Sequence, residues 1–298
     1  MALLRKEEYM DLSEVRVNID RVDNEIKKLF EERMHLSDAV ARCKAETEDA
    51  IYKPDREVAI IERLTTGVDP SIKREYIALI KRIMEVSRKY QYGRTLELKD
   101  CINIPYIDSL TEIDDYVVEK RDEDIIRLID LKNVKTVTGM DQLAKIVLEN
   151  DNTAGLGIME DVGYSVSDEM HKIICDKALY INECRIISSV ENGIEHKKKL
   201  IKFTKNLVVR PEDNRLKIMF VCENKSGSLA SVLSMIADYG INLAEIHSKA
   251  DEKEIWNYVF IAELKCSFVE KETKALIFQL MNETDVFKIM GSYYIPEE

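Results

Sequence analysis

Glycine and proline are scarce, with ten Gly and five Pro in 298 residues. So little of either excludes long disordered or turn-rich stretches, and the chain is expected to fold throughout. No run approaches the roughly 18 apolar residues that a membrane span needs. The opening MALLRKEEYM also has no apolar stretch of the kind that directs export. A soluble, cytoplasmic protein is therefore expected. The six cysteines, at 43, 101, 175, 184, 222 and 266, form no CxxC pair, so reduced thiols are expected. The four histidines (35, 171, 196 and 247) have no ligand spacing, so neither a metal nor a cofactor is expected. A formal net charge of -12 repels phosphate backbones and anionic lipid, which argues against nucleic acid or a membrane as partner. The one basic cluster, His196 to Lys199, reads as a solvated turn.

What is present is helical periodicity, then alternation. From Asp11 to about Glu46 apolar residues recur at spacings of three and four (Leu12, Val15, Ile19, Val22, Ile26, Leu29, Leu36, Val40), which predicts one long helix capped by Asp11 or Ser13. Pro54 and Asp55 open a shorter helix through Leu64, and a third is predicted from about Ser71 to Arg94. So long an apolar stripe cannot be buried by short partners alone, so a homodimer or higher homo-oligomer joined through the first helix is expected. Beyond residue 100 short strands alternate with helices in an α/β pattern. From Arg215 the order is βαββαβ, the ferredoxin-like arrangement. The fold class is thus multidomain, α plus α/β, with segments 1–97, 98–209 and 210–298.

Several polar residues interrupt the helical stripes. Arg33 fills the gap between Leu29 and Leu36, Arg16 flanks the same stripe, and Lys44 returns to that face about three turns on. Glu57 shares a face with Ile60, Ile61 and Leu64 beside Arg56, while Ser87 and Gln91 interrupt the third helix one turn apart. A charge facing a helical core is costly without a partner. Taken singly, these residues read as structural pairs, such as Arg33 with Glu57. Taken together, an excess of cations, one carboxylate and two neutral hydrogen-bonding groups read as a site for a small polyanion that carries a hydroxyl.

The stretches VRVNIDRVDNEIKKLFEERMHLSDAVARCK, IYKPDRE and IMEVSRKYQ resemble the all-helical chorismate mutases, specifically the N-terminal part of bifunctional chorismate mutase/prephenate dehydratases. The resemblance implies an intertwined three-helix dimer that converts chorismate to prephenate in phenylalanine and tyrosine biosynthesis. It assigns Arg33, with Arg16 of the other subunit, to the substrate carboxylates, and Lys44 and Gln91 to the ether oxygen. Glu57 would hold the ring hydroxyl, supported by Arg56 and Ser87. Lys53 stands where that family usually carries Asp, so altered contacts are expected there.

Residues 100 to 209 resemble part of a prephenate dehydratase domain, with departures. In TAGLGIMEDVGYSV only Glu160 remains of a Pro-Ile-Glu-Asn-Ser type segment, with Asp161 and Val162 following, and Ile201 and Lys202 replace the Thr-Arg of a Thr-Arg-Phe motif. A truncated, inert lobe is expected, the alternative being a working bifunctional enzyme regulated by phenylalanine. The tail resembles an ACT regulatory domain. Its effector site would comprise Gly227, Ser228 and Leu229 at a strand-to-helix turn, with His247 and Ser248 where a Glu-Ser-Arg-Pro stretch is usual. An aromatic amino acid would be the effector, and an ACT fold that serves only oligomerisation is the alternative.

Overall fold

A computed structural model describes residues 11–296 apart from 111, 127–128, 130, 162–164, 192–193, 223 and 251–257. Val162, which figured in the motif reading above, lies outside the described residues, as does the opening decapeptide. The chain divides into two compact units, Met1–Asp100 and Cys101–Glu298.

The first unit holds α1 (Leu12–Thr47), α2 (Pro54–Leu64) and α3 (Lys73–Leu98), so α3 runs one turn past the expected end. Asp11 occupies the N-cap of α1, but it makes no side-chain capping bond; its carboxylate accepts from the Ser13 hydroxyl instead. Pro54 starts α2, where its missing N–H costs nothing. Along α1 only Ser37 and Ala41 are buried. Leu12, Ile19, Val22, Ile26, Leu29 and Leu36 stay exposed within one chain, which leaves the apolar stripe of α1 unburied. No helix among the described residues is long and apolar enough to cross a membrane.

The second unit is built on one mixed sheet. Its elements are β1 (Asp115–Glu119), a short turn into α4 (Glu123–Ile126), β2 (Val134–Val137), α5 (Met140–Glu149), β3 (Thr153–Asp161), β4 (Ser165–Val166), α6 (Asp168–Asp176), β5 (Tyr180–Glu191) and β6 (Ile194–Thr204). There follow β7 (Arg215–Cys222), α7 (Ser228–Asp238), β8 (Asn242–Ala250), β9 (Tyr258–Lys265), α8 (Lys271–Glu283) and β10 (Val286–Tyr293), the βαββαβ order expected for the tail. The strands lie in the order β2-β1-β3-β6-β5-β10-β7-β9-β8, with β4 paired to β3. The sheet therefore passes without interruption from the middle segment into the tail. The join is a single parallel bridge, Gly291 to Ile181. A Cβ on Gly291 would lie 2.2 Å from the Ile181 carbonyl oxygen, so only glycine permits that approach.

Helices α7 and α8 cover one face of the tail sheet, packing Val232, Ile236, Leu276 and Ile277 on Ile218, Phe220 and Phe260. On the other face Met219, Ile261, Met290 and Tyr293 join the core of the middle segment, with Met170, Ile174, Ile201 and Phe203. The basic cluster at 196–199 is not a solvated turn. It forms part of β6, where Lys198 and Lys199 are buried and Lys199 sits beside Glu160, Glu245 and Glu263. These carboxylates arrive from β3, β8 and β9. A local reading cannot see them, and they remove the cost of burying the lysine.

Candidate active site

The first unit encloses a cavity of about 160 Å³ whose lining includes Arg33, Lys44, Lys53, Arg56, Glu57, Ser87 and Gln91. Every polar position singled out on the three helices except Arg16 is therefore brought to one place. Arg16 is exposed near the start of α1 and does not line the cavity of its own chain.

Each side chain is held by its element. Arg33 donates to the Ser87 hydroxyl and to the carbonyl oxygen of Ile83 (3.3 Å), which ties α1 to α3. Ser87 in turn donates to that same carbonyl at 2.8 Å. Lys44 donates to the carbonyls of Ala50 and Ile51, both at 2.8 Å, so the loop between α1 and α2 aims its ammonium. Burial lowers the pKa of Lys44, opposed first by Asp49, and burial also lowers that of Arg33, opposed by Glu57. Lys53 forms a one-turn ion pair with Asp49, which puts a carboxylate beside the position where an acidic residue was expected. The Oε1 of Gln91 is buried without a hydrogen-bond partner among the described residues.

Sequence reasoning missed Arg88. This residue is buried, its guanidinium stacks 4.8 Å from the Tyr52 ring centroid, and it forms the ion pair with Glu57 that the structural alternative had given to Arg33. The signal was present: Met84, Ser87, Arg88, Gln91 and Thr95 all fall on the buried face of α3 at helical spacing. The assembled cavity offers five cations, Arg33, Lys44, Lys53, Arg56 and Arg88, and one carboxylate, Glu57, already neutralised by a guanidinium. An anionic ligand that also carries a hydroxyl meets both the charge excess and the unpaired Gln91 oxygen, which accepts.

In the second unit the residues at the dehydratase-like positions are engaged elsewhere. Ile201 is 1% exposed within the core, Lys202 pairs with Glu183, Glu160 lies 3.3 Å from Lys199, and Asp161 meets His196 at 3.1 Å. The effector positions fall apart within one chain. Gly227, at φ 92°, Ser228 and Leu229 open α7, and Leu229 packs into the helix-covered core, whereas His247 and Ser248 line a separate cavity with α6.

Comparison with known proteins agrees with this division. Residues 15–92 match the family described as chorismate mutase type II, and residues 217–280 match the ACT domain family. The bifunctional chorismate mutase/prephenate dehydratase of Aquifex aeolicus (strain VF5) is 20% identical over 366 residues, covering 95% of this chain and 98% of that protein. That span exceeds the 298 residues present here, so a substantial stretch of the relative has no counterpart. Among solved structures, the prephenate dehydratase in complex with L-Phe from Arthrobacter aurescens superposes with a TM-score of 0.52 at 11% identity, over 60% of this chain and 89% of that one. GqqA, described as a novel type of quorum-quenching acylase, gives 0.51 at 14% identity, over 61% of this chain and 95% of that one. Two such different activities on one fold mean that these likenesses establish the fold alone. By its type II chorismate mutase domain the chain is an isomerase, and over most of its length it is similar to a bifunctional chorismate mutase/prephenate dehydratase.

Proposed function

We propose that the α1–α3 cavity binds chorismate and accelerates its rearrangement to prephenate. The observation that carries this reading is the convergence of Arg33, Lys44, Glu57, Ser87 and Gln91 on one cavity. The reaction breaks the ether C–O bond and forms a C–C bond within one molecule, so it needs no acid, base or nucleophile. A pocket accelerates it by holding the folded, chair-like conformer and meeting the charge that develops on the ether oxygen. Arg33 binds one carboxylate in its planar fork, and Lys44 with the Gln91 amide donates to the ether oxygen. Glu57, fixed by Arg88, accepts from the ring hydroxyl, with Arg56 at the rim. Arg16 completes the site from a second copy of the chain, because burying the exposed apolar stripe of α1 calls for such a copy.

The middle segment serves as a spacer or sensor and not as a dehydratase. Loss of water and carbon dioxide from prephenate requires a donor to the leaving hydroxyl, and the apolar Ile201 offers none. The tail acts as an amino-acid-sensing ACT domain whose site is assembled between chains. Full-length protein incubated with chorismate tests both parts. Loss of chorismate absorbance with accumulation of prephenate is the expected result. Phenylpyruvate instead of prephenate would overturn the inert middle, and unchanged chorismate would overturn the whole reading.

A further inference from the structure

The second unit contains a cavity of about 540 Å³ between α6 and the face of the tail sheet that α7 and α8 leave open. Its size suits a molecule of drug-like dimensions. Its floor is apolar, made by Met219, Val221, Val259 and Ile261. Two imidazoles break that surface, His171 from α6 and His247 from β8, with ring centroids 6.1 Å apart.

His171 is 4% exposed. Its Nδ1 lies 3.0 Å from the carbonyl oxygen of Ser167, an acceptor, so the ring proton sits on Nδ1 and the lone pair on Nε2. That Nε2 is buried and has no hydrogen-bond partner among the described residues, whereas Nε2 of His247 has a Glu245 carboxylate oxygen 3.7 Å away. A buried acceptor left unmatched costs about 1–3 kcal/mol, which marks the place as one that a ligand's donor relieves.

The chemistry of that donor is restricted. Burial and the nearby Lys217 push the pKa of His171 down to about 3, so the ring stays a neutral acceptor. A carboxylate has no proton to donate to it. An ammonium would bring a further cation next to Lys217 and Lys199, whose charges are already balanced by Glu160, Glu245 and Glu263. A metal ion faces the same obstacle. Glu160, Glu245 and His247 bring their ligand atoms within 4.8 Å of one another, but the Lys199 ammonium is bound to Glu245 and lies 3.3 Å from Glu160. What remains is an uncharged O–H or N–H on an apolar body, of which the hydroxyl makes the shorter bond. A phenolic hydroxyl donates more strongly than an alkanol, and a flat ring covers an apolar sheet face.

We propose that this cavity binds a small uncharged hydroxyaryl compound, its ring on the Met219, Val221, Val259 and Ile261 floor and its hydroxyl donating to Nε2 of His171. Such a ligand joins α6 of the middle segment to the tail sheet within one chain. The cavity shares His247 and Ser248 with the expected effector positions, and it does not depend on the reading of the first unit.

Titration calorimetry of the full-length protein with 4-methylphenol, 4-methylanisole, 4-methylbenzoate and 4-methylbenzylamine tests the proposal. The phenol is expected to bind at least tenfold tighter than each of the other three, which lack the neutral donor. His171→Leu is expected to collapse that ratio to near one. Val286→Trp, at a half-exposed position on the cavity wall, is expected to weaken all binding. If His171→Leu does not fold, the ¹⁵N resonance of Nε2 in wild-type protein reads the same contact and is expected to move on addition of the phenol. No saturable binding, equal affinity for phenol and anisole, preference for either ion, or an unmoved Nε2 resonance would each overturn the proposal.

Discussion

Arg88 and Glu57, 31 residues apart in sequence, form an ion pair that links α3 to α2 at the wall of the cavity. Glu57 is thereby held in place before any ligand arrives, and its charge is met by a guanidinium that is itself almost wholly buried. Arg88→Met is expected to lower kcat/KM for chorismate at least tenfold, because the carboxylate loses its fixed direction and remains half-buried without its partner. Arg88→Lys is expected to recover part of the thermal stability but little of the rate, since an ammonium cannot reproduce the planar contact. Steady-state kinetics and thermal unfolding of the two variants check this.

An alkaline limb of activity is expected from Lys44. Its pKa is lowered by burial, with Asp49 opposing and Lys53 adding to the depression, so the ammonium is lost as pH rises through a value below the ordinary 10.5. Activity that depends on this cation is present below that value and falls above it. A pH profile of kcat/KM should show this limb, and Lys44→Arg, if active, should move it upward because a guanidinium keeps its proton.

Gly291 sits where the tail sheet meets β5. The atom a Cβ would strike is the backbone oxygen of Ile181, which cannot turn aside as a side chain can. Gly291→Ala is expected to destabilise the second unit by about 1–3 kcal/mol. Chemical denaturation should detect the loss, while the chorismate mutase activity of the first unit stays close to wild type.

Acid should destabilise the second unit through His171. Its pKa falls from 6.5 to about 3 on folding, through burial first and Lys217 next. Below about 6.5 the unfolded chain takes up a proton that the folded chain refuses until about pH 3, so stability present above 6.5 is lost progressively as pH falls through that window. The slope reaches about 1.4 kcal/mol per pH unit. Urea unfolding at pH 7 and pH 5 should show a smaller acid penalty for His171→Gln than for wild type.

Much of the lining of the α1–α3 cavity could be read in the sequence because helices repeat a simple period. A cation in an apolar slot, as at Arg33, or a polar pair one turn apart, as at Ser87 and Gln91, stands out against that period. Arg88 escaped because it adjoins Ser87 and resembles a surface residue; only its spacing from Met84 and Gln91 gave it away. In the second unit the decisive relationships are between strands distant in sequence. Lys199 looked solvated because Glu160, Glu245 and Glu263 come from three other strands. β1, a short strand amid acidic residues, was not read at all, and the continuity of the sheet through Gly291 has no local signature. Likewise the cavity at His171 depends on α6 lying over a sheet built more than forty residues later.

The central claim is that cations gathered between α1, α2 and α3 do chemistry and are not merely structural. Its most direct test is the rate of chorismate disappearance with purified wild-type protein and with Lys44→Ala at equal concentration. Loss of one such donor typically costs about 100-fold to 1,000-fold in rate, and a drop of that size in a folded Lys44→Ala protein is the expected result. Equal rates for the two proteins would contradict the account.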